Sequence, residues 1–164
     1  MSPASPTIHA SAVLLGARAL LIRGPAGAGK SRLAYELIEA ARCGLLPFAR
    51  LVADDRVHLA AASGRLLARP AETLAGLLEV RGVGILQLPY EPRAVVGLVV
   101  DLAAADAERL PLAEGRETEI AGVVLPRLAV APGAAALPGL LALITSSPDR
   151  TAWRSGDAIL RLSW

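Results

Sequence analysis

The pattern of apolar and polar positions divides the chain into short strand-like runs around one amphipathic helix. The apolar runs have the length and composition of buried strands, and the clearest are 11–15, 19–22, 51–53 and 94–102. Between the second and third runs, apolar residues repeat at helical spacing, which predicts a helix over Lys30–Arg42 that ends before Gly44 and Pro47. Strands outnumber helices, so we predict an α/β domain with a mixed, strand-rich central sheet.

Turn residues place the remaining elements. The dipeptide Ser63-Gly64 between two apolar runs predicts a hairpin, and Pro70 is typical of the residue before or within a first helical turn. The other predicted elements are a short helix over 71–78, a strand reaching Ile85, strands over 119–124 and 127–130 separated by Pro126, and a last helix over 137–144.

The stretch Gly24-Pro25-Ala26-Gly27-Ala28-Gly29-Lys30-Ser31 fits the phosphate-binding P-loop pattern G-x-x-x-x-G-K-[ST]. Its glycines allow successive backbone N–H groups to surround an anion, and the following helix points its positive end at the phosphates. The lysine reaches the outer phosphates, and the serine hydroxyl is a hard oxygen ligand for Mg²⁺. The strand before it and the helix after it are the context that this motif requires.

The composition of the chain strengthens this interpretation. Lys30 is the only lysine among 164 residues, which also include sixteen arginines. A compact ammonium on a flexible stem follows a phosphate that moves during reaction, which a planar guanidinium does less well. The single lysine therefore indicates a function rather than a compositional accident.

Two carboxylates, Asp54 and Asp55, follow the apolar run 51–53. A buried strand that ends in acids is the Walker B arrangement, which places a carboxylate beside the metal and the γ-phosphate. A solvated turn after a strand is the alternative explanation, and the upstream P-loop favours the functional one.

Bulk properties exclude several classes of protein. Hydrophobic residues make up 54% of the chain, yet no run reaches the length of a membrane span. The start of the chain lacks the pattern of a signal peptide, and the single Cys43 fits a reducing cytoplasm. The net charge is +2 with scattered arginines and 3% aromatics, which argues against a nucleic-acid partner, and no zinc-ligand spacing is present. We expect one cytoplasmic domain over 1–164, with a core at about 8–144 and a divergent tail at 145–164.

Several ordered pieces resemble the catalytic domain of the HPr kinase/phosphorylase family. They are Ile8-His9, the P-loop, the segment 51–57 that looks like the family's "ADD" segment, the segment 77–85 that resembles its signature "LLEIRGLGI", and 107–110, which resembles its "DRLG". The signature around Glu79 is the specific part, because many families share the P-loop. The resemblance implies a P-loop fold of the HPr kinase/phosphoenolpyruvate carboxykinase type.

The resemblance also implies an activity, cofactors and a partner. They are ATP- and Mg²⁺-dependent phosphorylation of a serine in an HPr-like phosphocarrier protein, with a possible reverse phosphorylase reaction and a possible homo-oligomer. It implies that Lys30 and the loop amides hold the nucleotide phosphates and that Ser31 and Glu79 hold Mg²⁺. It also implies that Asp54 takes the seryl proton with His9 beside it and that Arg109 stabilises charge on the transferred group. Asp55 and Arg81 would support the site.

The chain also departs from the family pattern. We expect no counterpart of the N-terminal domain found in many family members. Gly133-Ala134-Ala135 stands where the family has Gly-Arg-Asn, and the tail has no convincing match. Without that arginine and asparagine, we expect weak reverse activity. Two alternatives stay open at this point: a small-molecule kinase, and a nucleotide-binding regulator with little turnover.

Overall fold

The computed structural model of the protein describes residues 6–146, which form eleven strands and two α-helices. The strands are β1 Thr7–Ile8, β2 Ser11–Leu15, β3 Arg18–Arg23, β4 Ala49–Ala53, β5 Val57–Ala62, β6 Arg65–Pro70, β7 Leu77–Val80, β8 Gly84–Gln87, β9 Ala94–Asp101, β10 Glu117–Ile120 and β11 Val123–Ala129. The helices are α1 Lys30–Arg42 and α2 Ala136–Ser146. The P-loop helix and the strand-rich pattern predicted from the sequence are confirmed.

Nine of the strands form one mixed sheet with β9 at its centre. The order is β1-β5-β6-β9-β3-β2-β4, and β11, which carries β10, also pairs with β9. Strand β9 runs parallel to β3 and β11 and antiparallel to β6. Strands β7 and β8 form a separate hairpin. Strand β3 leads into the P-loop, and β9 runs parallel beside it, so the loop lies at the carboxyl ends of both strands.

Alternating side chains of the sheet build a core on each face. On β2, Val13 and Leu15 belong to the cluster that includes α1, whereas Ala12 faces the cluster on the other side. On β9, Leu98 and Val100 likewise join the helical side. This double burial explains the nearly continuous apolar runs of the sequence. It also fixes α1, and therefore the P-loop, against the sheet.

The helix predicted over 71–78 is wrong. The segment contains only a 3₁₀ turn at Glu72–Leu74 and then enters β7 at Leu77. Gly76 lies between them with φ 76°, its carbonyl accepts a hydrogen bond from Leu88, and a Cβ would meet Leu88 O at 3.0 Å. A positive φ interrupts a helix, and the tertiary contact favours the hairpin over the local helical preference.

The predicted break at Pro126 is also wrong, since β11 runs through it. Residues up to Pro126 pair with β10, and residues from Arg127 onward pair with β9. Proline therefore stands where the strand changes partner, a position at which its missing N–H interrupts the ladders least. The tail predicted as divergent over 145–164 lies almost wholly outside the described residues.

Ionic side chains join the ends of β3, β9 and β11 beside the P-loop. Asp101 accepts hydrogen bonds from Arg23 at 2.7 and 2.8 Å and from Arg127 Nε at 2.6 Å, and Arg127 also binds Asp106 at 2.7 and 2.9 Å. Burial opposes the ionisation of Asp101, but the two guanidinium groups outweigh it and lower its pKa. Arg23 directly precedes Gly24, so this network fixes the start of the P-loop.

Within residues 6–146, neither helix has the length and apolar character needed to span a bilayer.

Candidate active site

The phosphate loop follows β3 as the sequence predicted, and its glycines adopt conformations that other residues rarely reach. The φ angles of Gly24, Gly27 and Gly29 are 153°, 78° and 96°. At Gly24 a Cβ would also lie 3.0 Å from the carbonyl oxygen of Leu102, so side chains are excluded there. The loop is thus held closely against the end of β9, and α1 begins directly after it at Lys30.

Lys30 is 6% exposed and its ammonium lies inside the loop that precedes it. Nζ donates to the carbonyl oxygens of Gly24 at 2.9 Å and Pro25 at 3.0 Å. An ammonium has three donors, so one remains for a ligand. Burial lowers the pKa of Lys30, while the nearby charges of Asp54 and Asp55 act in the opposite direction. The charge is therefore placed in a site where anionic phosphate can replace the carbonyl contacts.

Asp54 lies at the end of β4, is 4% exposed, and is held by three donors. Its Oδ1 accepts hydrogen bonds from the hydroxyls of Ser31 at 2.9 Å and Ser11 at 2.6 Å. Its Oδ2 accepts a longer bond, 3.4 Å, from the backbone N–H of Glu79. This carboxylate thus connects the first turn of α1, strand β2 and the hairpin that carries Glu79.

Asp55 occupies a different environment from its neighbour. It is exposed, its φ is 65°, and a hydrogen bond of 2.7 Å from Arg56 N to Asp54 O closes a three-residue turn around it. Strain of this kind is concentrated at functional sites. His9 Nε2 lies 3.2 Å from Asp55 Oδ1. We expected His9 to lie beside Asp54; the contact that the structure gives it is with the adjacent Asp55, while Asp54 is bonded to the two serines.

The β7–β8 hairpin presents Glu79 and Arg81 to the same space. Glu79 is an exposed residue of β7, and Arg81 belongs to the turn closed by a hydrogen bond of 3.0 Å from Val83 N to Val80 O. Leu78, the residue before Glu79, is completely buried in the helical-side core. This alternation anchors the hairpin and directs its charged residues toward the P-loop.

These elements surround a cavity of about 1090 Å³. Its wall brings together seven of the side chains singled out from the sequence: His9, Lys30, Ser31, Asp54, Asp55, Glu79 and Arg81. Most residues of the P-loop and residues 133–136 also line it. Arg109, by contrast, is an exposed residue of the loop after β9 and does not contribute to the cavity wall.

Sequence reasoning missed Ser11 as a residue of this site. The available signal was weak, because a single serine begins an apolar strand and only the tertiary pairing of β2 with β4 brings it to Asp54. A buried polar residue in a core strand is nevertheless an informative observation.

The residues present fit a magnesium nucleotide. Ser31 and Glu79 supply the hydroxyl and carboxylate oxygens that Mg²⁺ prefers, and both line the cavity next to the phosphate loop. No cluster of three or more His, Cys, Asp or Glu able to hold a metal occurs within the described part of the chain. Mg²⁺ in nucleotide sites is usually held by one or two protein groups together with phosphates and waters, so the sparse ligand set is the expected one.

Comparison with known proteins adds independent findings. A family model described as the HPr serine kinase C-terminal domain matches residues 3–134. The HPr kinase/phosphorylases of Streptococcus thermophilus (strain LMD-9) and Streptococcus gordonii are 32% and 38% identical to the chain, and each match covers 76% of it. The chain spans about two fifths of the length of these relatives, since the matches cover 41% of each.

A solved structure shares the fold. The HPr(Ser) kinase/phosphatase from Coxiella burnetii aligns with a TM-score of 0.68 and 24% sequence identity, over 87% of this chain and 95% of that one. The prediction of a P-loop domain with a mixed, strand-rich sheet of the HPr kinase type is thereby confirmed.

Proposed function

The chain belongs to the HPr serine kinase C-terminal domain family, and from this premise we propose that it transfers the γ-phosphoryl group of Mg-ATP to a serine of an HPr-like phosphocarrier protein. The observation that carries the proposal is the meeting of the P-loop, the Asp54–Asp55 pair and the signature residue Glu79 around one cavity. A P-loop alone would support only nucleotide binding. The additional carboxylates supply the metal and proton chemistry of phosphoryl transfer.

Lys30 and the loop amides hold the β- and γ-phosphates in this proposal. The two carbonyl contacts of Nζ, at 2.9 and 3.0 Å, keep the ammonium inside the loop before nucleotide arrives. A preorganised charge of this kind stabilises the transition state without costly rearrangement. The start of α1 adds its positive end to the same site.

Ser31 and Glu79 hold the magnesium ion, which neutralises phosphate charge when it is bound with the nucleotide. Asp54 orients Ser31 for this role through the 2.9 Å hydrogen bond to its hydroxyl. The two ligands come from different elements, the first turn of α1 and the β7–β8 hairpin. Metal binding would therefore join the helix to the hairpin.

Asp54 takes the seryl proton as the serine oxygen bonds to phosphorus and the bond to the leaving ADP oxygen breaks. The position of Asp54 supports this role, because Asp54 accepts a hydrogen bond from Ser31, which directly follows the P-loop lysine. The exposure of Asp55 favours that residue instead. Its side chain is 60% exposed, so an incoming serine reaches it more easily, and His9 contacts its carboxylate. Substituting each aspartate separately decides between them, as described in the Discussion.

Arg109 keeps its proposed role on the transferred phosphoryl group, although it lies outside the cavity wall. Arg81 is the cation of the hairpin that does line the cavity. For the reverse reaction, the wall segment 133–136 contributes neither a cation nor an amide side chain. This composition supports the proposal of weak phosphorylase activity, because attack by phosphate on a phosphoserine brings two anions together.

Transfer of label from [γ-³²P]ATP to purified HPr, with Mg²⁺ present, is the decisive test. We expect a labelled serine in HPr, and no label when that serine is replaced by alanine. Label on a small molecule but not on HPr would support the small-molecule kinase. ATP-dependent association with HPr in the absence of transfer would support the regulator, a reading favoured by the position of Arg109 away from the cavity.

A further inference from the structure

Ser11 is a buried hydroxyl residue at the first position of β2. It is 1% exposed, and its Oγ donates a hydrogen bond of 2.6 Å to Oδ1 of Asp54. The residues that follow at alternate positions, Val13 and Leu15, are apolar and pack into the core beneath α1. Ser11 therefore places a polar atom in a row that is otherwise apolar.

A buried hydroxyl lowers stability unless it is hydrogen-bonded, and alanine would fill nearly the same volume without this requirement. The volume available at position 11 alone thus gives no reason for a serine there. Its hydroxyl has the Asp54 carboxylate as its partner, and that carboxylate is buried as well. Each of these buried polar groups therefore supplies the hydrogen-bond partner that the other requires.

The two hydroxyls on Asp54 Oδ1 come from elements of different kinds. Ser11 begins β2 and Asp54 directly follows β4, and these two strands pair through Ala12 and Ala53. Ser31 instead lies on the first turn of α1, where the nucleotide and its metal bind in the proposed function. The bond from Ser31 is therefore the one that changes when ligand arrives, whereas the bond from Ser11 is set by the sheet.

We propose that Ser11 is a positioning residue that fixes the orientation of the Asp54 carboxylate from the sheet side. With Oδ1 held by Ser11, the carboxylate keeps its direction toward Ser31 and Glu79 while Ser31 engages the metal. This inference deepens the proposed function and rests on the role of Asp54 in it. Ser11 itself touches neither nucleotide nor acceptor.

A double-mutant cycle tests this role. Ser11→Ala should lower the rate of transfer to HPr about tenfold, the effect of losing one hydrogen bond to a charged group. In an Asp54→Asn background, the same change should lower the residual rate less than twofold, because Ser11 acts through the carboxylate. Equal fold-losses in both backgrounds would overturn the proposal.

Two variants separate positioning from stability. Ser11→Thr retains the hydroxyl and should restore most of the rate. Val13→Ala removes buried atoms from the same strand face without touching Asp54, so it should lower the melting temperature while its effect on transfer stays the same in both backgrounds. If Ser11→Ala does not fold, the cycle is run with Ser11→Cys, which keeps the volume and only a weak donor.

Binding measurements keep this inference distinct from the proposed function. The Mg²⁺ concentration for half-maximal ATP binding, followed by calorimetry, should rise in Ser11→Ala and in Asp54→Asn, and should rise no further in the double variant. If the wild-type chain transfers nothing to HPr, the proposed function fails, and this binding cycle alone decides about Ser11. Additive increases would overturn its positioning role.

Discussion

Two groups of side chains at the cavity differ in burial and in bonding. The inner group comprises Lys30, Ser31 and Asp54, which line the cavity, and Ser11, which bonds to Asp54 from the start of β2. Its members bond to one another or to the loop backbone. The outer group, His9, Asp55, Glu79 and Arg81, consists of exposed residues on turns and on the β7–β8 hairpin. In the inner group a polar atom has little freedom, whereas in the outer group it can move to meet a partner.

This difference separates two tasks of the proposed reaction. The phosphate group has the same shape in every turnover, so a rigid, preorganised set of donors suits it. A protein acceptor must enter and leave, and exposed groups on turns can adapt to it. We therefore expect substitution of Lys30 or Asp54 to remove most of the transfer activity and substitution of Ser11 to lower it less. Substitutions of the outer group should change the conditions that transfer requires.

Replacing the unique lysine should have the largest effect. Lys30→Ala should lower the transfer rate by at least about 10²–10³-fold, because it removes a preorganised charge from the phosphate site. Lys30→Arg serves as the matched control, and it should recover little, since a planar guanidinium cannot occupy the same loop contacts. Rates are measured with labelled ATP, and folding by circular dichroism. Near-normal transfer in the alanine variant would refute the assignment of the P-loop.

The paired aspartates test the boundary between the two groups. Asp54→Asn should reduce transfer about 10²–10³-fold while ATP still binds at saturating Mg²⁺, because the amide cannot accept the seryl proton. Asp55→Asn should cost less, since Asp55 belongs to the outer group. The reverse order of effects would assign the proton to Asp55 and would make the His9–Asp55 contact of 3.2 Å part of the chemistry.

The inner group was largely predictable from the sequence, for a physical reason. The P-loop needs glycines and a lysine at fixed spacing, and a buried strand ending in Asp54-Asp55 marks the adjacent sheet position. Local chain geometry therefore determines where Lys30 and Ser31 lie relative to each other. Ser11 escaped notice because its contact with Asp54 spans 43 positions and depends on the pairing of β2 with β4.

A shape-preserving substitution in the outer group tests the proposed metal site. Glu79→Gln should raise the Mg²⁺ concentration needed for half-maximal transfer by roughly tenfold, because one of two protein ligands loses its charge. Excess Mg²⁺ should restore most of the rate, which it should not do for Asp54→Asn. If added Mg²⁺ rescues neither variant, the division between base and metal ligand is wrong.

The outer elements were less predictable, because tertiary contacts determine them. The segment 71–78 has helix-compatible residues, but Gly76 and its contact with Leu88 commit it to a hairpin. The contact between His9 and Asp55 depends on the positive φ of Asp55, which the residue types do not predict. The place of Arg109 is set by a loop without regular periodicity, so resemblance alone could suggest its role.

We expect the smallest effect on transfer from a substitution in the ionic network of Asp101, Arg23 and Arg127, which fixes the start of the P-loop. Asp101→Asn should leave the transfer rate within about threefold, since Asp101 lies outside the cavity wall. Stability should fall by about 3 kcal/mol at pH 7, because Arg23 and Arg127 lose a carboxylate that is only 14% exposed. Glu39→Gln breaks an exposed pair with Arg42 and should change stability by less than about 1 kcal/mol.

The pH dependence of that stability gives the sharper measurement. The guanidinium groups lower the pKa of folded Asp101 below its unfolded value, so its contribution is complete above the unfolded pKa and is lost as pH falls through the folded one. The difference in unfolding free energy between wild type and Asp101→Asn should therefore be full at pH 7 and should shrink below about pH 4. Denaturant titrations at pH 7, 4 and 2.5 follow it, and a difference that stays constant would show that Asp101 contributes through packing and not through its charge.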